Sequence, residues 1–346
     1  MLIAGGAPLL GLAVAGHPVS PYLDFPPRTS QAAHAPFAWT AFAALCLPAL
    51  AALALFVVAI AGARPDTAAP RAARRFPWWG WLGLGLIAAG WVLAWNTGQR
   101  HTFTPLWLGY IVLMNALVYR RAGYSLLTHR TRWFLTLFPV SAAFWWLFEH
   151  LNQFVRNWYY SGVQAASDWD YFIQASLPFS TVLPAVAATW SWLKQFRRLD
   201  TFALPAVRGS GAPAWVAAGA GALSLAVLGI SPQGLYPMVW LGPLLLLCGL
   251  QQLLLGESLL APLARGDWRP LLQPAAAGVI CGLLWELWNY GSLAKWHYNI
   301  PYAQRFHLFE MPLAGYAGYL PFGVTCALVM DLVARLVEDS RLYDKN

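Results

Sequence analysis

Nine apolar stretches of about 17–25 residues run along the chain, at 39–62, 78–95, 103–119, 134–154, 172–193, 215–230, 236–255, 271–289 and 312–336. Each is about the length of helix that crosses the ~30 Å hydrocarbon core of a bilayer. A helix suits that setting because it satisfies its own backbone polar groups where no water can. The pattern predicts an all-α, polytopic transmembrane helix bundle of about nine to ten spans. A tenth candidate, 1–16, is short and Gly-rich. It lacks a basic leading region, although Ala13-Val14-Ala15 has the small residues of a cleavage site. A retained first helix or half-helix is therefore expected over a cleaved signal. Composition agrees with the spans: 59% of residues are hydrophobic and 10% charged, where soluble domains carry about 25% charged residues.

The net charge of +8 raises the question of nucleic acid, and the position of the basic residues answers it. Arg64, Arg71, Arg74 and Arg75 precede the second stretch. Arg120, Arg121, Arg130 and Arg132 follow the third, and Lys194, Arg197, Arg198 and Arg208 follow the fifth. Arg265 and Arg269 precede the eighth, and Arg335, Arg341 and Lys345 close the chain. The intervening loops hold only Arg28, Arg100, Arg156, Lys295 and Arg305. This alternation is the positive-inside rule. It predicts a multi-pass protein of the cell inner (cytoplasmic) membrane with a cytoplasmic C-terminus, and no nucleic-acid partner. Cys46, Cys248, Cys281 and Cys326 all fall within apolar stretches without CxxC spacing. They read as small core residues.

Motifs recur in a fixed order. Pro105-Leu-Trp107-Leu108-Gly109 is matched by Pro237-Met-Val-Trp240-Leu241-Gly242, and Glu149-His-Leu-Asn152 by Glu286-Leu-Trp-Asn289. Trp158-Tyr-Tyr160 is matched by Trp296-His-Tyr298, and Pro178 and Pro184 by Pro312 and Pro321. The order implies two four-helix units, at about 78–193 and 213–336. Each has an even number of spans, so both insert the same way up, as in transporters built from parallel repeats. The expected division is an N-terminal membrane element over 1–70, repeat A over 71–195 and repeat B over 196–346.

Glu149 and Glu286 end equivalent helices on the side assigned as outer. Glu-x-x-Asn places a carboxylate and an amide on one helix face. An ionisable group inside a span is costly and marks a site by default. The opposing reading, an interfacial helix end pinned by hydrogen bonds, weakens when the same pair occurs twice. Most of the 20 Trp belong to interfacial belts, but several cluster near the glutamates. Aromatic faces around a carboxylate suit cation binding or a buried general acid.

Glu149 and Glu286 are therefore the expected acid/base groups, oriented by Asn152 and Asn289. Trp145, Trp146, Trp158, Tyr160, Trp285, Trp288, Trp296, Tyr298, His101, Glu310 and Tyr316 are the expected substrate-binding residues. Pro178, Pro184, Pro312 and Pro321 free carbonyls where a cavity can form, with Ser180, Thr181 and Tyr316 placed to satisfy them. Thr102 or Thr104 suits an N-cap. No metal-ligand spacing is present, and no P-loop, GxGxxG, CxxCH or GxSxG occurs, so no cofactor is assigned.

These residues predict an intramembrane enzyme acting on a lipid or isoprenoid-type substrate at the outer (periplasmic) side. The alternatives are a transporter or binding protein for a cationic or proton-coupled solute, and a non-catalytic subunit of a membrane complex. A transporter needs a path to the cytoplasmic side, where no matching polar cluster is evident in the sequence.

Overall fold

The computed structural model describes residues 1–63, 74–97, 101–200, 204–206 and 213–338. Arg64, Arg71, Arg100, Arg208, Arg341 and Lys345 lie outside these ranges, so their part in the charge pattern is not described. The helices are α1 (Leu2–Val14), α2 (Trp39–Ala61), α3 (Trp78–Thr97), α4 (Phe103–Ala122), α5 (Leu126–His129), α6 (Thr131–Val155) and α7 (Asp168–Phe179). They continue as α8 (Val182–Leu193), α9 (Arg197–Asp200), α10 (Ala214–Ile230), α11 (Pro232–Leu235), α12 (Met238–Leu255), α13 (Arg269–Gly291) and α14 (Tyr319–Glu338). The fold is an all-α helical bundle. Six helical segments are long and apolar enough to cross a membrane, and Leu2–Val14, Trp78–Leu93 and Ala214–Ile230 are shorter apolar helices. The membrane character rests on this length and composition.

Close pairs of helices build the bundle. Gly83 of α3 and Gly109 of α4 let two backbones touch: a Cβ at Gly109 would lie 2.7 Å from the Gly83 carbonyl oxygen. α10 and α12 meet the same way, and a Cβ at Gly221 would lie 2.8 Å from the Gly242 carbonyl oxygen. Small residues at such crossings replace the hydrophobic driving force that lipid removes. α4 packs on α8 and α12 on α14, α6 packs against α8 and α13 against α14, and α13 also contacts α8 while α14 contacts α6. Trp107 of α4 meets Trp285 of α13, and Trp240 of α12 meets Phe148 of α6, both at centroid distances of 5.2 Å. α1 lies against α10 and α6. α2 buries only Ala59.

The arginine-bearing segments meet at one end. Arg74 donates its backbone N–H to Arg120, Arg121 stacks on Trp192 and Phe196, and Arg130 pairs with Glu338 at 2.5 Å. This end holds a buried polar cluster. Asp331, 1% exposed, accepts from Arg335 (2.8 Å) and Gln251 (3.3 Å). Gln251 Oε1 in turn receives the Leu259 N–H at 3.0 Å.

At the opposite, aromatic end, the chain leaves α6 and α13 through two short strands, β1 (Trp158–Ser161) and β2 (Lys295–Tyr298). They pair antiparallel, with Trp158 across from Tyr298, Tyr159 from His297, Tyr160 from Trp296 and Ser161 from Lys295. A smaller pair, β3 (His307–Leu308) and β4 (Met311–Pro312), follows. The prolines interrupt helices nearby. α7 ends at Phe179 and α8 begins at Val182, and a 3-10 segment, Leu313–Gly318, precedes α14. Ser180 and Thr181 hydroxyls donate to the Leu177 and Pro178 carbonyls, each at 2.7 Å. Tyr316 donates to the Leu308 carbonyl at 3.0 Å. Thr102 takes the N-cap position of α4 without a side-chain capping bond.

Candidate functional site

Two asparagines shape the aromatic end. Asn152 Nδ2 donates to the Trp158 carbonyl (2.7 Å), and its Oδ1 accepts from the Asn157 (2.9 Å) and Trp158 (3.3 Å) amides. Asn289 Nδ2 donates to the Trp296 carbonyl (2.8 Å), and its Oδ1 accepts from the Trp296 amide (2.9 Å). Neither side chain bonds the glutamate one turn before it. Each instead holds a strand against the end of its own helix. The expected direct orientation of the carboxylates by Asn152 and Asn289 is replaced by an indirect one.

The strands then act through their two faces. Side chains alternate across a strand, so Trp158, Tyr160, Trp296 and Tyr298 share one face of the ribbon, while Tyr159, Ser161, Lys295 and His297 share the other. The aromatic face covers the glutamates. Glu149, 1% exposed, accepts at Oε1 from Trp145 Nε1 (2.9 Å), Trp158 Nε1 (3.0 Å) and the Tyr160 hydroxyl (2.6 Å). Glu286, 0% exposed, accepts at Oε1 from the Tyr298 and Tyr319 hydroxyls, both at 2.7 Å. Its Oε2 is buried without a hydrogen-bond partner. Trp296 Nε1 donates to the Tyr298 oxygen at 2.9 Å. Burial, then the adjacent glutamates, push the Tyr160 and Tyr298 phenols well above their ordinary range. Both therefore keep their protons near neutrality and donate.

A partly open cavity of about 160 Å³ lies beneath the ribbon. Its walls are Trp145, Trp158, Tyr160, Tyr171, Phe179, Trp240, Trp285, Trp296, Tyr298, Tyr319 and Phe103, with His101, Thr104, Gln164 and Gln174 adding its more polar parts. Seven of the residues expected from sequence to bind substrate line it: His101, Trp145, Trp158, Tyr160, Trp285, Trp296 and Tyr298. The glutamates do not line it but stand behind the tyrosines that do. Trp146 lies outside the lining and donates to Ser176 (2.9 Å), while Trp288 packs on Trp107 at 4.7 Å. Tyr316 stands beside Tyr319 at 6.0 Å. Trp240, Tyr171, Phe179 and Tyr319 are cavity residues that the sequence reading did not assign. Trp240 carried a signal, the Trp-Leu-Gly motif shared with Trp107, whereas Tyr319 reaches Glu286 only through the packing of α14 on α13.

The other face of the ribbon is polar. Glu310 accepts from Lys295 Nζ (2.8 Å) and bonds His297 Nδ1 (3.0 Å), and His297 Nε2 lies 2.8 Å from Ser161 Oγ. Burial alone would raise the Glu310 carboxyl, but the Lys295 and His297 contacts outweigh it and hold the group below its ordinary value. A second, more open crevice shares Tyr160, Val163, Gln164 and Tyr171 with the cavity and adds Arg28, Thr29 and Asp170. Among the described residues, no group of three or more His, Cys, Asp or Glu side chains is placed to hold a metal ion.

Fold and site together define a helical, membrane-type protein with an aromatic cavity backed by buried carboxylates. No protein-family model matches the chain, and no curated protein or solved structure is significantly similar to it.

Proposed function

We propose that this chain is an intramembrane enzyme that takes a lipid or isoprenoid-type substrate into the aromatic cavity, from the outer side of the inner membrane. One observation carries the reading: Tyr160, Tyr298 and Tyr319 line the cavity, and each donates to a buried glutamate. A phenol between a substrate and a carboxylate is a proton relay. It can pass a proton between the reacting atom and Glu149 or Glu286 without admitting water. The tyrosines would touch the substrate and the glutamates would act through them. The aromatic walls suit the apolar body of a lipid.

The same reading treats the chain as two parallel units. Residues matched in sequence make matched contacts: Asn152 and Asn289 each hold a strand, and Tyr160 and Tyr298 each cover a glutamate. Tyr159 and His297, equivalent in the two motifs, oppose each other at the centre of the ribbon. Reciprocal contacts of this kind are what a twofold axis produces.

Mass spectrometry of lipid copurifying with the protein tests the proposal. A lipid should be found with the wild type and lost from Ala175→Trp, because Ala175 lines the cavity and an indole there takes up space in it. Equal lipid in both would overturn it. A transporter is the second reading, and the buried Asp331–Arg335–Gln251 cluster at the arginine-rich end favours it. Uptake of the same ligand into proteoliposomes would support that reading, and turnover without uptake would support the enzyme.

A further inference from the structure

Five acidic side chains elsewhere among the described residues have basic partners. Asp168 pairs with Arg28, Asp267 with Arg269, Glu310 with Lys295, Asp331 with Arg335 and Glu338 with Arg130. Glu149 and Glu286 are as deeply buried as Asp331, yet every donor to them is neutral: two indoles and three phenols. Among the described residues, no Lys, Arg or His pairs with either. A buried carboxylate is strongly disfavoured unless a positive charge or a proton accompanies it. Glu286 also keeps one buried oxygen with no hydrogen-bond partner.

The missing charge has a natural place to sit. The cavity wall in front of the carboxylates carries the rings of Trp158, Tyr160, Trp240, Trp285, Trp296 and Tyr298. Aromatic faces attract cations through their negative quadrupole, more strongly where water is excluded. Each phenol that donates to a glutamate becomes richer in electrons, which strengthens that attraction. Among its described lining residues the cavity has no Lys, Arg, Asp or Glu, and His101 is its one imidazole. A phosphate or carboxylate would find no fixed cation there. A neutral group would leave both glutamates to be neutralised by protons alone.

We infer that the group bound in this cavity is an organic cation of the alkylammonium class, which supplies one positive charge to the pair Glu149 and Glu286, a proton on the pair balancing the other. The inference rests on the cavity being the substrate site and names the chemistry of the group held there. It places the positive centre against the ring faces, with the tyrosine hydroxyls between it and the carboxylates.

Choline and its neutral isostere 3,3-dimethylbutan-1-ol separate charge from shape. Binding of each to the full chain in a non-ionic maltoside detergent can be followed by tryptophan fluorescence and calorimetry, with inorganic phosphate as the anionic control. Choline should bind at least tenfold more tightly than the isostere, and phosphate should not compete. Glu149→Gln and Glu286→Gln should each weaken choline binding at least tenfold and leave isostere binding unchanged. Equal affinity of the two probes for the wild type, or no binding of choline, overturns the inference whatever the variants do. Choline binding unchanged in both Gln variants also overturns it, because the carboxyls would then hold protons and not a ligand's charge. A lipid that copurifies with the wild type and is lost from Ala175→Trp, without any preference for choline, would sink this inference and leave the enzyme reading standing. Choline bound equally by Ala175→Trp would remove both.

Discussion

Tyr159 stands directly across from His297 at the centre of the β1–β2 ribbon, with ring centroids 5.4 Å apart. Around this pair the ribbon divides the aromatic end in two, a polar face joined to Glu310 and an aromatic face that roofs the cavity. Gly162 follows directly with φ +71°, and a Cβ there would lie 2.2 Å from the Leu293 carbonyl oxygen. Gly162→Ala should destabilise the protein by more than the roughly 1–2 kcal/mol of left-handed strain, since the backbone must also move. A lowered thermal midpoint with loss of cavity ligand is expected. An unchanged midpoint would show that the ribbon is not held closed at this point.

The asparagines should matter for stability before they matter for chemistry. Asn289→Ala strands the Trp296 amide and carbonyl, and Asn152→Ala strands the Trp158 carbonyl and two amides. Each buried group left unpaired costs about 1–3 kcal/mol. Both variants should unfold at lower temperature, Asn152→Ala by more. A silent Asn289→Ala would mean that water satisfies the strand.

Glu286 and its two phenols should behave as one unit. Tyr298→Phe removes one donor and leaves Tyr319 in place, so the protein should fold while the relay is broken. In a double-mutant cycle, Glu286→Gln with Tyr298→Phe should lose scarcely more activity or ligand affinity than either change alone, because groups in direct contact are non-additive. Fully additive losses would argue that the pair does not act together.

Glu310 gives a pH signature. Its carboxyl is held below the ordinary value of 4.5, so its contribution to stability is present above that value. The contribution is lost as pH falls through the lower folded-state value. Thermal midpoints of the wild type and Glu310→Gln should differ at neutral pH and converge as the pH drops below about 4.5. A gap that persists into acid would place the effect in packing instead of charge.

Orientation can be tested by reporter fusions. The positive-inside rule predicts 64–77, 120–133, 194–212 and the C-terminus in the cytoplasm, and 155–171 and 289–311 outside. A cytoplasmic reporter signal from 289–311 would invert the molecule and move the cavity to the other leaflet.

The sequence by itself determined the helices. Length and hydropathy are local properties, so the nine stretches appear as helices, with the 172–193 stretch broken near its prolines at Ser180 and Thr181 and the 312–336 stretch α-helical only from Tyr319. Glu149 and Glu286 could also be singled out, because a carboxylate in an apolar helix stands out against its own neighbours. Tertiary structure alone decided what those carboxylates meet. Tyr160 arrives through a strand folded back by Asn152, and Tyr319 through the packing of α14 on α13. No local periodicity encodes those encounters. Burial forces each carboxylate to find hydrogen-bond donors, and only the packed bundle determines which donors come within reach. For the same reason the glutamates stand behind the cavity wall and the tyrosines form it.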